Sequence, residues 1–202
     1  MTPILPIGRR EVDALQELAS IGCGQALSAL GRLLGRRLDM DVTEAWVGQE
    51  PGAIADFLGG LGMDLVAVAV RLDGLLEGQL VLALAEPDAE RLATLLGYPV
   101  RPEEPWGTLA ESALMESGNI VGSAFVSAIA RLVNRTLLLS VPRLARGGGR
   151  RCMDTLVDRD VGTVALATRF SCREAPSPLE GLILVMPEPG HVGRLLASLQ
   201  AV

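Results

Sequence analysis

The chain has 202 residues, 49% of them apolar and only 3% aromatic, with a formal net charge of −6. That composition supports a core of leucine, valine and alanine in one domain or two intimate halves, while the acidic balance argues against a nucleic-acid binder, which needs a basic patch facing the phosphates. All 18 basic residues are arginines, so Schiff-base and P-loop lysine chemistry is excluded.

The first predicted helix covers residues 9–36, where Val12, Leu15, Leu18, Ile21, Leu27, Leu30, Leu33 and Leu34 supply an apolar face and Arg36-Arg37 suit the C-terminal end. Residues 40–47 read as a strand and 51–62 as a loop region with a short turn of helix. Apolar strands over 65–72 and 78–84 meet around Asp73-Gly74, a hairpin signal. Glu86-Pro87 then opens a short helix to Leu96, which Gly97 stops, and a proline-rich connector covers 98–107.

The second long helix is predicted over 108–134. Thr108 and Glu111 have the spacing of a capping box. Leu109, Ala113, Ile120, Val121, Ala124, Ala128, Ile129 and Leu132 give this helix an apolar face. Ser112, Glu116, Asn119 and Ser123 fall within about 60° of one another at ~100° per residue, which makes a polar ridge. Such a ridge is usually a solvated face, but Asn119 is costly in mid-helix, and Gly118 and Gly122 each weaken the helix by ~1 kcal/mol relative to alanine. Small neighbours are expected to leave the ridge open to close approach.

Strands over 136–141, 161–171 and 181–186 follow, and Glu188-Pro189 opens a final helix. Between them, 145–159 reads as a mobile basic loop beside a protein-docking face. Its Gly147-Gly148-Gly149 is not a phosphate cradle, since no GK[ST] follows and no helix is expected directly after it.

The second half repeats the order of the first. Glu17 and Glu116 lie 99 residues apart, and Pro87 and Pro189 lie 102 apart. Two copies are too few for a solenoid. The expected fold is therefore α+β: a single domain of two repeats, about 8–97 and 107–202, related by a pseudo-twofold. Each repeat is a unit of long helix, strands and short helix, with helices packed on a largely antiparallel sheet.

Cys23, Cys152 and Cys172 share no metal-ligand spacing and suggest no disulfide framework, so they are expected to be reduced and structural. His191, the one histidine, reads as a surface residue, and neither a catalytic triad nor a metal site is predicted. No apolar run approaches the ~20 residues of a membrane span and no signal pattern opens the chain, so a soluble, cytoplasmic protein without membrane insertion is expected.

The spacing Ser112-x3-Glu116-x2-Asn119, with Pro142 after the next strand, resembles the signature of the CheC/CheX/FliY family of chemotaxis phosphatases, and CheC most of all. The resemblance covers nearly the whole chain in length, duplicated order and both helix motifs. It implies that the substrate is the phosphorylated aspartate of a CheY-like response regulator, with Asn119 positioning the attacking water and Glu116 docking to a basic residue of the regulator. An amide suits that task, because it offers a donor and an acceptor without titrating. Ser112 supports the ridge. No cofactor of the chain's own is implied, and magnesium is expected on the regulator. In the first copy the matching residues are Asp13, Glu17 and Ser20. The family motif accepts Asp or Ser at its first position, so this copy departs only at the asparagine, and a weak or silent site is expected. The alternative is a non-catalytic adaptor or scaffold of the chemotaxis or flagellar switch apparatus, as in FliM, whose related domain lacks the Glu and Asn pair. Retention of Glu116 and Asn119 favours the enzyme, and binding of the receptor deamidase CheD, a property of some members, is compatible with either.

Overall fold

The structure is a computed structural model that describes residues 8–47, 64–100, 106–156, 164–173 and 178–199. Helix α1 (Arg9–Leu34) leads into strands β1 (Asp39–Met40) and β2 (Glu44–Val47), then β3 (Leu65–Gly74), β4 (Gly78–Ala85) and helix α2 (Glu86–Leu95). Helix α3 (Thr108–Val133) leads into β5 (Leu137–Leu139), β6 (Arg143–Gly147) and helix α4 (Gly149–Leu156), followed by β7 (Val164–Cys172), β8 (Leu179–Pro187) and α5 (Pro189–Leu199). The expected α+β architecture is present, and every pairing is antiparallel. The strand order is β1-β7-β8-β4-β3-β5, with β2 also on β7 and β6 also on β3.

The four long strands are apolar over most of their length because both faces of the sheet are covered. On one face Val66, Val68, Val70, Leu82 and Ile183 meet Leu15, Leu27, Leu92, Phe125, Ile129 and Leu195 from α1, α2, α3 and α5. On the other, Leu65, Ala67, Val81, Leu182 and Leu184 meet Cys152, Met153 and Leu156 of α4. Alternate residues of one strand therefore enter different cores, each contributing the ~25 cal/mol per Å² of apolar burial.

Both long helices end on a left-handed residue, Gly35 (φ 64°) and Asn134 (φ 48°), which lets the chain turn into the edge strands. At the start of α1 the Glu11 carboxylate accepts the Gly8 N–H at 2.7 Å. The capping box predicted at Thr108 does not form. Gly107 holds the cap position, Thr108 is already helical, and Glu111 turns to the Arg146 guanidinium at 3.4 Å.

Several expectations are corrected. The strand over 40–47 is two short strands, and 136–141 holds only β5, because the chain breaks pairing to pass from one end of β7 or β3 toward the other. The loop expected over 145–159 is instead the end of β6 followed directly by α4. Gly147 makes the turn at φ 127°, and α4 opens at Gly149. Its amphipathic pattern was hidden by the glycines and arginines around it; residues 157–159, like the region 51–62, lie outside the described residues.

In α3, Leu109 is 69% exposed, while Leu114, Phe125 and Val133 carry the buried face. Length and composition alone would let α3 cross a membrane, and half of its most apolar window is buried inside the fold. Gly118 and Gly122 point into the sheet instead of opening the ridge. A Cβ on Gly118 would collide with Val68, and one on Gly122 would stand 2.8 Å from Val70 Cγ2.

Candidate functional site

The ridge of α3 faces away from the sheet because glycines and large apolar residues occupy the opposite side. Ser112, Glu116 and Ser123 are exposed and Asn119 is half-buried. The Asn119 Nδ2 lies 3.5 Å from Glu116 Oε2, a long, solvent-facing contact that sets amide and carboxylate side by side. The Ser112 hydroxyl donates back to the Thr108 carbonyl at 2.7 Å, inside its own helix. Chemically, this is a carboxylate and an adjacent amide presented on a rigid helix. The amide retains donor and acceptor capacity for a water or a partner.

The corresponding residues of α1 are arranged differently. Asp13 and Glu17 are exposed, but Ser20 turns to the sheet and donates to Thr43 Oγ1 at 3.0 Å. Thr43, 1% exposed, shares a 2.7 Å hydroxyl contact with Thr168, which is fully buried. Gln16 Nε2 donates to the Thr43 carbonyl at 3.0 Å. Cys23 joins the same row. Burial pushes its thiol up to about 11, against a smaller lowering by its hydrogen bond with Thr168. Thr43 and Thr168 escaped the sequence reading, and the available signal was that Thr43 stands 23 residues after Ser20, as Pro142 stands after Asn119.

The three cysteines are free and buried. Burial also raises the Cys152 thiol, partly opposed by Arg151. His191, expected at the surface, is only 11% exposed in its side chain. Its Nδ1 accepts the Glu77 backbone N–H at 3.2 Å and lies 3.6 Å from the Glu77 carboxylate. Glu77, Glu188 and His191 bring potential ligand atoms within 4.8 Å of one another. Glu188 also faces Arg71 at 3.9 Å, and its backbone N–H donates to the Glu77 carbonyl at 2.8 Å, so the trio fastens the start of α5 to the β3–β4 turn.

A model described as the CheC-like family matches residues 109–146, from the first turn of α3 through β5 and most of β6. The CheY-P phosphatase CheC of Bacillus subtilis (strain 168) is 32% identical over 142 residues, covering 69% of this chain and 68% of that protein. FliY of Thermotoga maritima shares the fold at a TM-score of 0.70 and 17% identity, over 98% of this chain and 99% of that one. A chain of the CheX-CheY-BeF3-Mg2+ complex from Borrelia burgdorferi shares it at a TM-score of 0.54 and 19% identity, over 83% and 97%. Identity at that level over two thirds of a CheC, joined to a shared fold along almost the whole chain, shows that this chain belongs to the CheC/CheX/FliY family, on its CheC side.

Proposed function

We propose that this protein hydrolyses the aspartyl phosphate of a CheY-like response regulator and so ends a chemotaxis signal, acting as one domain of two repeats with one working ridge. The observation that carries this reading is the pairing of Glu116 and Asn119 on the exposed face of α3, within a chain similar to a CheY-P phosphatase. An acyl phosphate is already reactive, so the enzyme need supply mainly a water held in line with the scissile bond. Asn119 holds that water through its amide. The water oxygen bonds to phosphorus as the bond to the aspartyl oxygen breaks, releasing the carboxylate and inorganic phosphate. Magnesium on the regulator balances the charge, and this chain contributes no metal to the step. Glu116 pairs with a basic group of the regulator and fixes the register of docking, a contribution to encounter and orientation more than to raw affinity. Ser112 stiffens the ridge by bonding back to its own helix.

The decay of a phosphorylated CheY-type regulator with magnesium tests the proposal. Asn119→Ala is expected to lower kcat by about 100-fold, the effect of removing one positioned polar group, while Ser20→Ala keeps the wild-type rate. Glu116→Ala is expected to raise KM more than it lowers kcat. Failure of the wild-type protein to accelerate decay with several regulators would replace the enzyme by the adaptor reading, which the hydrogen-bonded Ser20 of α1 already favours for the first ridge alone.

A further inference from the structure

The two ridges stand on different foundations. A step of 99 residues carries Gln16, Ser20, Cys23 and Thr43 to Met115, Asn119, Gly122 and Pro142. The strand registers agree with that step. Glu44 pairs with Ala167, which sets Thr43 opposite Thr168, and Arg143 pairs with Ala69, which sets Pro142 opposite Val70. Val70 is also the residue that Gly122 lies against, as Cys23 lies against Thr168.

Beneath Ser20, then, runs a row of hydrogen-bonding groups: Thr43, Thr168, Cys23 and the Gln16 amide on the Thr43 carbonyl. At the equivalent positions of the second repeat stand Pro142, Val70, Gly122 and Met115. None of those side chains donates a conventional hydrogen bond, and proline lacks even a backbone N–H. A hydroxyl offered from the edge strand captures the helix residue above it, and an apolar ring leaves that residue to solvent.

We propose that this row decides which ridge is open: Thr43 and Thr168 close Ser20 into the sheet, and Pro142 is a positioning residue that keeps the Asn119 amide free to hold water. The catalytic half of this inference rests on the phosphatase reading; the closure of Ser20 rests on the hydrogen bonds alone. Loss of activity at the first ridge is then a coupled change at two positions, so restoring asparagine at one of them does not reopen it.

Two experiments separate these parts. In urea unfolding of the full chain, Ser20→Ala and Thr43→Val are expected to be coupled, the double variant's midpoint shift falling short of the sum of the single shifts; additive shifts would overturn the closure. In the regulator assay, Ser20→Asn placed on Asn119→Ala is expected to stay at the Asn119→Ala rate, and recovery of the wild-type rate would overturn it. Pro142→Thr is expected to lower kcat about tenfold with KM unchanged, on the scale of one hydrogen bond, whereas Pro142→Val, equal in shape but without the hydroxyl, keeps kcat within about twofold. Equal losses in both Pro142 variants would assign the effect to proline's rigidity and reject its role as proposed. Should the wild-type protein leave regulator decay unchanged, the phosphatase reading fails, and the urea cycle alone then decides the closure.

Discussion

Asn119 and Ser20 occupy matching places on two helices of 26 residues each, yet one side chain stands beside Glu116 on its own helix and the other donates across to Thr43. The same row makes Cys23 a reporter of local chemistry. Its folded value of about 11 lies above the ordinary thiol value of 9.0 because the side chain is buried, so the folded chain keeps the proton longer than the unfolded one. The associated stabilisation is therefore fully present below about pH 9 and is lost as pH rises through 11, a decline of about 3 kcal/mol. Urea midpoints measured across that range are expected to fall more steeply for wild type than for Cys23→Ala, and parallel slopes would show that Cys23 ionises as freely as in the unfolded chain. At this scale the sequence was informative about which residues align, Ser112, Glu116 and Asn119 against Asp13, Glu17 and Ser20. It was silent about the closure of Ser20, because the hydrogen bond to Thr43 spans 23 residues and the one from Thr43 to Thr168 spans 125.

The element that presents the site is α3, and its position depends on two glycines. With Gly118 against Val68 and Gly122 against Val70, the helix axis sits close to β3 and the ridge is fixed on the outer side. Gly118→Ala would gain up to ~1 kcal/mol of helix propensity, but the added methyl has no room over a buried strand and costs about 1–3 kcal/mol. A net loss is expected in the urea midpoint, together with weaker regulator dephosphorylation as the ridge is pushed outward; a stabilised Gly118→Ala protein would show that β3 yields to the helix. Periodicity located α1 and α3 to within a few residues because both bury a long stripe. It placed Leu109 inside and the glycines outside because a helical period says which residues share a face, not which neighbour that face meets. Strand β6 and helix α4 were missed for a related reason. Glycines and arginines around α4 mask its short amphipathic pattern, whose apolar side, Cys152, Met153 and Leu156, packs on the underside of the sheet.

Across the whole molecule, one cluster joins segments far apart in the chain. The Arg146 guanidinium of β6 lies 4.9 Å over the Trp106 ring and 3.4 Å from Glu111 of α3, and within 3.9 Å of Glu86 at the start of α2. Trp106 Nε1 donates to that same Glu86 at 2.9 Å. Because Arg146 is itself over a third exposed, solvent screens most of the charge attraction. Arg146→Met is expected to cost only about 1 kcal/mol, chiefly the cation–π contact, and to shift tryptophan emission. An unchanged spectrum with an unchanged midpoint would mean that the cluster does not anchor the start of α3. The sequence by itself located the two long helices, α2, α5 and the long apolar strands, and showed that Ser112, Glu116 and Asn119 share one helix face, because these depend on local period, on turn residues and on spacing along one helix. Only the tertiary structure decided that both faces of the sheet are covered, that the glycines of α3 face β3, and that His191 is held at the β3–β4 turn. It alone joined Ser20 to Thr43 and Thr168, and set Val70 against Gly122 and opposite Pro142. Those outcomes depend on which strand lies beside which, and that choice is made by long-range pairing and burial that no window along the chain contains.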